Sequence, residues 1–324
     1  MNSKSLLKGD LTDWLLESDN PSVRYLTLRD IVGCSGTEMI EAKEEIRTDS
    51  RVLRIFRKQK QEGYWEDASQ PYYPKYKGTY WQVMILSQLG LDKSDERVRK
   101  ACEFIFQFQL DEGGFSSFEK PRTEQKIREH EMSCLTGNVA ASLIRLGYED
   151  DERVTKALEW LVEVQNRDGG WLCPYWEAHI KDKHSCFMGT IAPLDAFSEM
   201  PNEKMSSEME SAIDDGVEFL LMHRLFMADH HQFNIINKSW LKLSFPNFSY
   251  DILRGLSVVT KLGYFKDERI KDAFEVLLRK QGSDGRWILE SSPVGRMHAT
   301  LEQKGKPSKW ITFKALKVIK RINN

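Results

Sequence analysis

No run of apolar residues in this chain approaches the roughly 20 needed to cross a bilayer as a helix. The first ten residues, Met1 to Asp10, lack the apolar core of a secretory signal. Cysteine is scarce and odd in number: five in 324 residues do not make a closed disulfide framework, and they point to a reducing, cytoplasmic setting. There is no surplus of positive charge, with 47 Lys and Arg against 49 Asp and Glu and a formal net charge of −2. Nucleic acid is therefore not expected as a partner, because phosphate binding needs a concentrated basic surface. Low-complexity segments and flexible linkers are missing too.

What is present is a repeat. Asp95-Glu96-Arg97-Val98 precedes Gln109 and Gly113-Gly114-Phe115. Asp151-Glu152-Arg153-Val154 precedes Gln165 and Gly169-Gly170-Trp171, and Asp267-Glu268-Arg269-Ile270 precedes Gln281 and Gly285-Arg286-Trp287. The arginine and glutamine are 12 residues apart in each copy. Gln59 with Gly63-Tyr64-Trp65 is a fainter copy, and the spacing of the glutamines leaves room for one more near His223. Self-similarity at this period means stacked supersecondary units, none of which buries its apolar face alone.

Each unit reads as a helical hairpin. Asp-Glu before an apolar-periodic run starts an outer helix, as in 154–164, where Val154, Ala157, Leu158, Leu161 and Val162 recur at helical spacing. The glycines end it, because they tolerate the left-handed backbone of a sharp turn. More apolar stretches at 79–90, 134–147, 186–199, 251–262 and 309–321 are expected as inner helices. A further helix over 21–32 has Asn20 as its N-cap and Pro21 in its first turn. The expected class is all-α, with about six inner and six outer helices in one domain over 1–324. Residues 1–19 form an amphipathic N-terminal helix that closes it, 38–60 a charged outer helix, and 66–78 a loop.

The Gln-x3-Gly-Gly-Trp and Gln-x3-Gly-Arg-Trp segments resemble the Gln-Trp repeats of the squalene-cyclase and protein-prenyltransferase superfamily, over about residues 40–324. The resemblance implies an α/α toroid whose inner helices surround a central cavity. It specifies architecture and not reaction.

In such a ring the inner helices run the same way, and the loops before them meet at one mouth. That mouth would collect Lys75, Lys77, Arg296, Lys306 and Lys309 with the positive ends of the helices, a setting for a diphosphate or carboxylate. Tyr73, Tyr76, Trp81 and Trp310 are candidate substrate-binding aromatics; their ring faces suit an apolar chain or a cationic intermediate. His298 and Asp251 are the candidate catalytic residues, Asp251 as a helix cap or, if buried, as an acid.

Cys134 and Cys186 open two consecutive inner helices, and Cys173 and His184 lie in the loop between them. Three thiolates and an imidazole suit tetrahedral zinc. Protein prenyltransferase β-subunits hold zinc with an Asp-x-Cys pair opening an inner helix; His184-Ser185-Cys186 stands in a similar place with His for Asp. Cys102, among Ala101 and Phe104, reads as core. The Asp-x-Asp-Asp motif with which class II terpene cyclases protonate an alkene is missing; Asp214-Asp215 is the nearest match, on an outer helix. The Cys-His-Gly of lanthipeptide cyclases is missing too.

Three readings stay open on the sequence. One is an enzyme acting on an isoprenoid or similar apolar substrate with an anionic head, assisted by zinc. Another is a non-catalytic protein that holds a lipid or peptide in its cavity. The third is a subunit completed by a partner chain.

Overall fold

The computed structural model describes residues 9–117, 132–172 and 184–323. The class is all-α, with buried and amphipathic helices alternating along the chain. No helix among the described residues is long and apolar enough to cross a membrane. The chain divides into two compact units. One comprises Met1–Leu53, Leu221–Gly295 and Ala299–Asn324, and the other Arg54–Leu220 with Arg296–His298.

In the second unit the buried helices are α5 (Thr79–Gln88), α7 (Ser133–Arg145) and α9 (Phe187–Glu199). They alternate with the amphipathic α4 (Ser50–Phe56, which begins in the first unit), α6 (Glu96–Phe106) and α8 (Glu152–Glu163). Helix α10 (Ser207–Met222) runs from this unit into the first. Thr79 to Ser87 are all buried, so α5 has no wet face. Helix α6 buries only Val98, Ala101, Cys102 and the Phe104–Phe106 run, as its apolar stripe requires. Gly137 lets α7 approach α9: a Cβ there would lie 2.4 Å from the Ala192 carbonyl carbon and the Pro193 nitrogen.

The first unit holds α1 (Thr12–Leu16), α2 (Pro21–Thr27), α3 (Thr37–Thr48), α11 (Ile252–Lys261), α12 (Lys271–Arg279) and α13 (Lys309–Ile322). Asn20 caps α2 by accepting from the Val23 amide at 3.3 Å. The helix runs on through a π-turn, Leu28–Val32, to the left-handed Gly33. Two expectations are corrected here. The N-terminal helix is five residues long among the described residues, because Leu11 and Asp10 already sit outside it as cap and turn. The charged stretch 38–60 is broken at Asp49, whose carboxylate takes the Arg51 amide and guanidinium and so starts a new helix.

The repeat has one hydrogen-bond grammar. Each helix-starting aspartate (Asp95, Asp151, Asp267) accepts from the amide and guanidinium of the arginine two residues on. The glutamine amide bonds a glycine carbonyl four residues on and a carbonyl of the next copy: Gln59 reaches Arg97, Gln109 reaches Arg153 and Gln165 reaches Ala212. The indoles of Trp65, Trp171 and Trp287 donate to the carbonyls ten residues back, of Ile55, Leu161 and Leu277. The backbone N–H of the residue at each aromatic position (Trp65, Phe115, Trp171, Trp287) is taken by a threonine of the following buried helix: Thr79, Thr136, Thr190 and Thr312. These tryptophans are fully buried, and their polar atoms are all answered.

The same grammar locates the degenerate copy. A Cβ on Gly63 or Gly113 would strike the carbonyl of Lys100 or Lys156, each three residues past the arginine. On Gly169 it would strike Asp215, which puts Ala212 at the arginine position and Arg224, 12 further, at the glutamine position. The expected site near His223 is thus one residue off. The chain there departs into a two-stranded hairpin, β1 (Met227–Ala228) and β2 (Asn234–Ile235), and residues 230–239 are all exposed.

Candidate functional site

Within the second unit the starts of α5, α7 and α9 are tied to one another. Tyr80, in the first turn of α5, donates to the Ser116 carbonyl at 2.9 Å, next to the Phe115 amide held by Thr136 of α7. Residues 171 and 172 are flanked by the other two starts: Cys186 N donates to the Trp171 carbonyl at 3.0 Å, and Ser133 Oγ to the Leu172 carbonyl at 3.3 Å.

The loop before α5 builds an aromatic corner on this side. Trp81 is buried, with Tyr72 and Tyr76 each 5.0 Å from its ring, and its indole N–H donates to the Tyr72 carbonyl at 2.7 Å. Tyr73, 45 % exposed, sets its edge on Tyr72. Lys75 lies over Tyr76 and Trp81 at 5.3 and 5.7 Å, and the Arg296 guanidinium lies over Tyr76 at 4.8 Å. His298 Nε2 is 3.2 Å from the Lys77 carbonyl and 3.5 Å from Glu66 Oε1. Glu66 and Tyr76 both have left-handed backbones, φ 63° and 72°, a cost that a non-glycine residue bears only where its surroundings hold it. Desolvation lowers the His298 imidazole below its ordinary range, against the pull of Glu66 and the Lys77 carbonyl, and so favours the neutral ring.

Five of the residues singled out in the sequence, Tyr73, Lys75, Tyr76, Trp81 and Arg296, are therefore brought together with His298. Glu66 was missed: nothing in its local pattern marks it, and its partner is 232 positions away (298 − 66).

The remaining catalytic and substrate-binding candidates belong to the first unit. Asp251 is the N-cap of α11: its carboxylate accepts from the Arg254 amide at 2.8 Å, the Ser244 amide at 2.9 Å and the Ser244 hydroxyl. Burial raises its pKa above the ordinary carboxyl value despite these bonds. Trp310 stacks on Phe245 at 4.2 Å, and Lys314 lies over Phe245 at 5.0 Å while bonding Asn247 at 2.7 Å. Lys309 is buried, with its ammonium held by Glu17, at 2.8 Å, and by Asp19. It joins α13 to the segment before α2, with carboxylates already on it. Lys306 lies in an exposed turn.

Cys173 lies outside the described residues. Of the other three metal candidates, Cys186 accepts from the Gly189 amide at 3.1 Å as the N-cap of α9. His184 places Nδ1 2.7 Å from the Ser185 carbonyl and its ring against Phe219, and Cys134 is half-buried at the start of α7. Among the described residues no three His, Cys, Asp or Glu form a metal-binding group. Cys102 is buried, with its thiol pushed up by desolvation, and belongs to the core. Asp214 and Asp215 face solvent on α10.

Residues 30–184 match the family model described as the squalene-hopene cyclase C-terminal domain. The resemblance to the squalene-cyclase superfamily holds. The matched stretch contains Glu66, Tyr76 and Trp81 but not Arg296 or His298. A terpene cyclase/mutase from Arthrinium sp, atnI, is 23% identical over 242 residues, covering 66% of this chain and 32% of that protein, so the chain spans about a third of this relative's length. Among solved structures, a variant of the type II terpene cyclase MstE from Scytonema, in complex with geranylgeranyl dihydroxybenzoate, has a TM-score of 0.47. It is 17% identical, over 94% of this chain and 87% of that one. A protein from Actinoplanes gives a TM-score of 0.46 at 14% identity, over 96% and 90%.

Proposed function

We infer that the protein is a terpene-cyclase-like or prenyltransferase-like enzyme acting on an isoprenoid, or a similar apolar substrate, with an anionic head. The observation that carries this reading is the corner where Lys75 and Arg296 lie over Tyr76 beside Trp81. An arginine fork suits a phosphate or carboxylate, and the ring faces beside it suit an apolar chain or a positive charge developing along it. The name of the Arthrinium relative supports the terpenoid class. Asp251, whose burial favours the protonated form, is the residue put forward as the acid in place of an Asp-x-Asp-Asp motif. Zinc held by Cys134, Cys173, His184 and Cys186 is part of the same reading. It is supported by the two helix starts that flank residues 171 and 172, just before Cys173.

A second reading is a non-catalytic carrier, or a subunit completed by a partner. It is favoured by the capping role of Asp251, whose oxygens are already engaged by the Ser244 and Arg254 amides.

The test incubates the full-length protein with farnesyl and geranylgeranyl diphosphate and with a polyprenylated hydroxybenzoate, with products separated by liquid chromatography and mass spectrometry. New products support the enzyme; bound but unchanged ligand in native mass spectra supports the carrier. Metal analysis of wild-type and Cys186→Ala protein reads the zinc, and protein without stoichiometric metal would remove it from the proposal.

A further inference from the structure

Carbonyl oxygens only accept, so the 3.2 Å contact between His298 Nε2 and the Lys77 carbonyl places a hydrogen on Nε2. Glu66 Oε1, at 3.5 Å from the same nitrogen, stands on the same side of the ring. In the neutral ring, Nδ1 then carries the lone pair, and among the described residues no group bonds it. The side chain is 5 % exposed. Arg296, two residues earlier, lies over the ring of Tyr76, and the carbonyl that His298 meets belongs to Lys77, the residue after Tyr76.

We propose that His298 and Glu66 form a general-base dyad serving a ligand whose anionic head rests on Arg296 and Lys75. Glu66 is the positioning residue. Its carboxylate and the Lys77 carbonyl fix the Nε2–H tautomer and orientation, and the carboxylate stabilises the imidazolium that forms. Nδ1 takes a proton from an X–H bond of the ligand, where X is carbon or oxygen. The electron pair of that bond stays on the ligand, and the proton leaves from Nδ1 to water. The left-handed backbone at Glu66 fits this assignment, since a non-glycine residue keeps that conformation only where its surroundings hold it. The proposal rests on the anionic-head reading of the same corner and adds the chemistry done beside it. The charged groups acting on the ring are Glu66, Lys77 and Lys58, with Arg296 and Lys75 beyond.

The experiment uses full-length protein labelled with 15N-histidine, with His298→Gln to assign the ring, and inorganic pyrophosphate as the probe of the anion site. His298 is expected as the Nε2–H tautomer at neutral pH. Pyrophosphate should move its Nδ1 resonance and raise the pH at which the ring protonates. Glu66→Gln should lower that pH, and Glu66→Asp, which keeps the charge, should largely restore it. Circular dichroism would confirm that both variants fold. An Nδ1–H tautomer would overturn the dyad, as would a His298 signal indifferent to bound pyrophosphate or to Glu66→Gln. Failure of pyrophosphate to bind at all, read independently by calorimetry, would overturn the anionic-head reading and the dyad with it. Where a turnover assay exists, His298→Asn should cut the rate at least about a hundredfold. Glu66→Gln should move the acid limb of the rate profile to lower pH, a shift that a merely structural role would not produce.

Discussion

The Gln109 side chain amide donates to the Arg153 carbonyl, 44 residues on, at 2.7 Å, and to the Gly113 carbonyl at 2.9 Å. One buried amide thus ties a turn to the outer helix of the next repeat, and Gln59 and Gln165 do the same in theirs. Replacing Gln109 by Leu leaves two carbonyls without their donor. The expected loss is about 1–3 kcal/mol in urea unfolding at constant slope. Thr190→Val, which removes the acceptor of the Trp171 amide, should cost a similar amount.

Gly113 and Gly263 separate two reasons for glycine. Both have positive φ, 117° and 100°, but a Cβ at Gly113 would lie 2.3 Å from the Lys156 carbonyl, whereas at Gly263 nothing lies within 4 Å. Gly263→Ala should cost only the backbone strain, about 1–2 kcal/mol. Gly113→Ala should cost about 3 kcal/mol or more, because backbone must move as well. Paired thermal melts would check the difference.

Asp30 supplies a pH-dependent contribution. Burial pushes its carboxyl up, but the bonds from Arg29 and Lys317 outweigh burial and bring it down to about 2. A depressed carboxylate stabilises the fold above its unfolded pKa near 4 and loses that contribution as pH falls towards 2. Asp30→Asn should therefore cost about 2 kcal/mol at pH 7 and little at pH 2. Chemical denaturation at both pH values measures it.

Asp251 has the opposite sign. Its folded pKa is raised, so its share of stability is present below pH 4 and declines as pH rises through the folded value. Asn still caps a helix but carries no acidic proton. Asp251→Asn should leave a folded protein, at a cost of about 1–2 kcal/mol for the altered bond to Ser244. If Asp251 is the acid, turnover of a polyprenyl substrate falls at least about a hundredfold.

The repeat was open to reading because its parts are local. Asp-x-Arg, the glutamine and the Gly-Gly-Trp turn each announce a helix start or stop, and the buried helices begin within a residue or two of where their apolar runs do. The threonines that receive the aromatic-position amides carry no periodic signal of their own, although Thr79, Thr136, Thr190 and Thr312 fall near the same point of each helix. The aromatic corner was partly legible, since Tyr72 to Trp81 is one short stretch. Its histidine and carboxylate share no local signal, because Glu66 and His298 meet only in the folded chain, far apart in sequence. Lys309 looked like a free cation for the same reason: Glu17 and Asp19 precede it by about the whole chain.

The most direct test of the account is the affinity of the folded protein for geranylgeranyl diphosphate, by calorimetry, in wild-type, Arg296→Gln and Trp81→Leu forms. Arg296 offers the fork for the head group and Trp81 a ring face for the chain, so each variant should bind at least about tenfold more weakly, or about 1.4 kcal/mol. Equal affinity in all three, or no binding to the wild type, would contradict it.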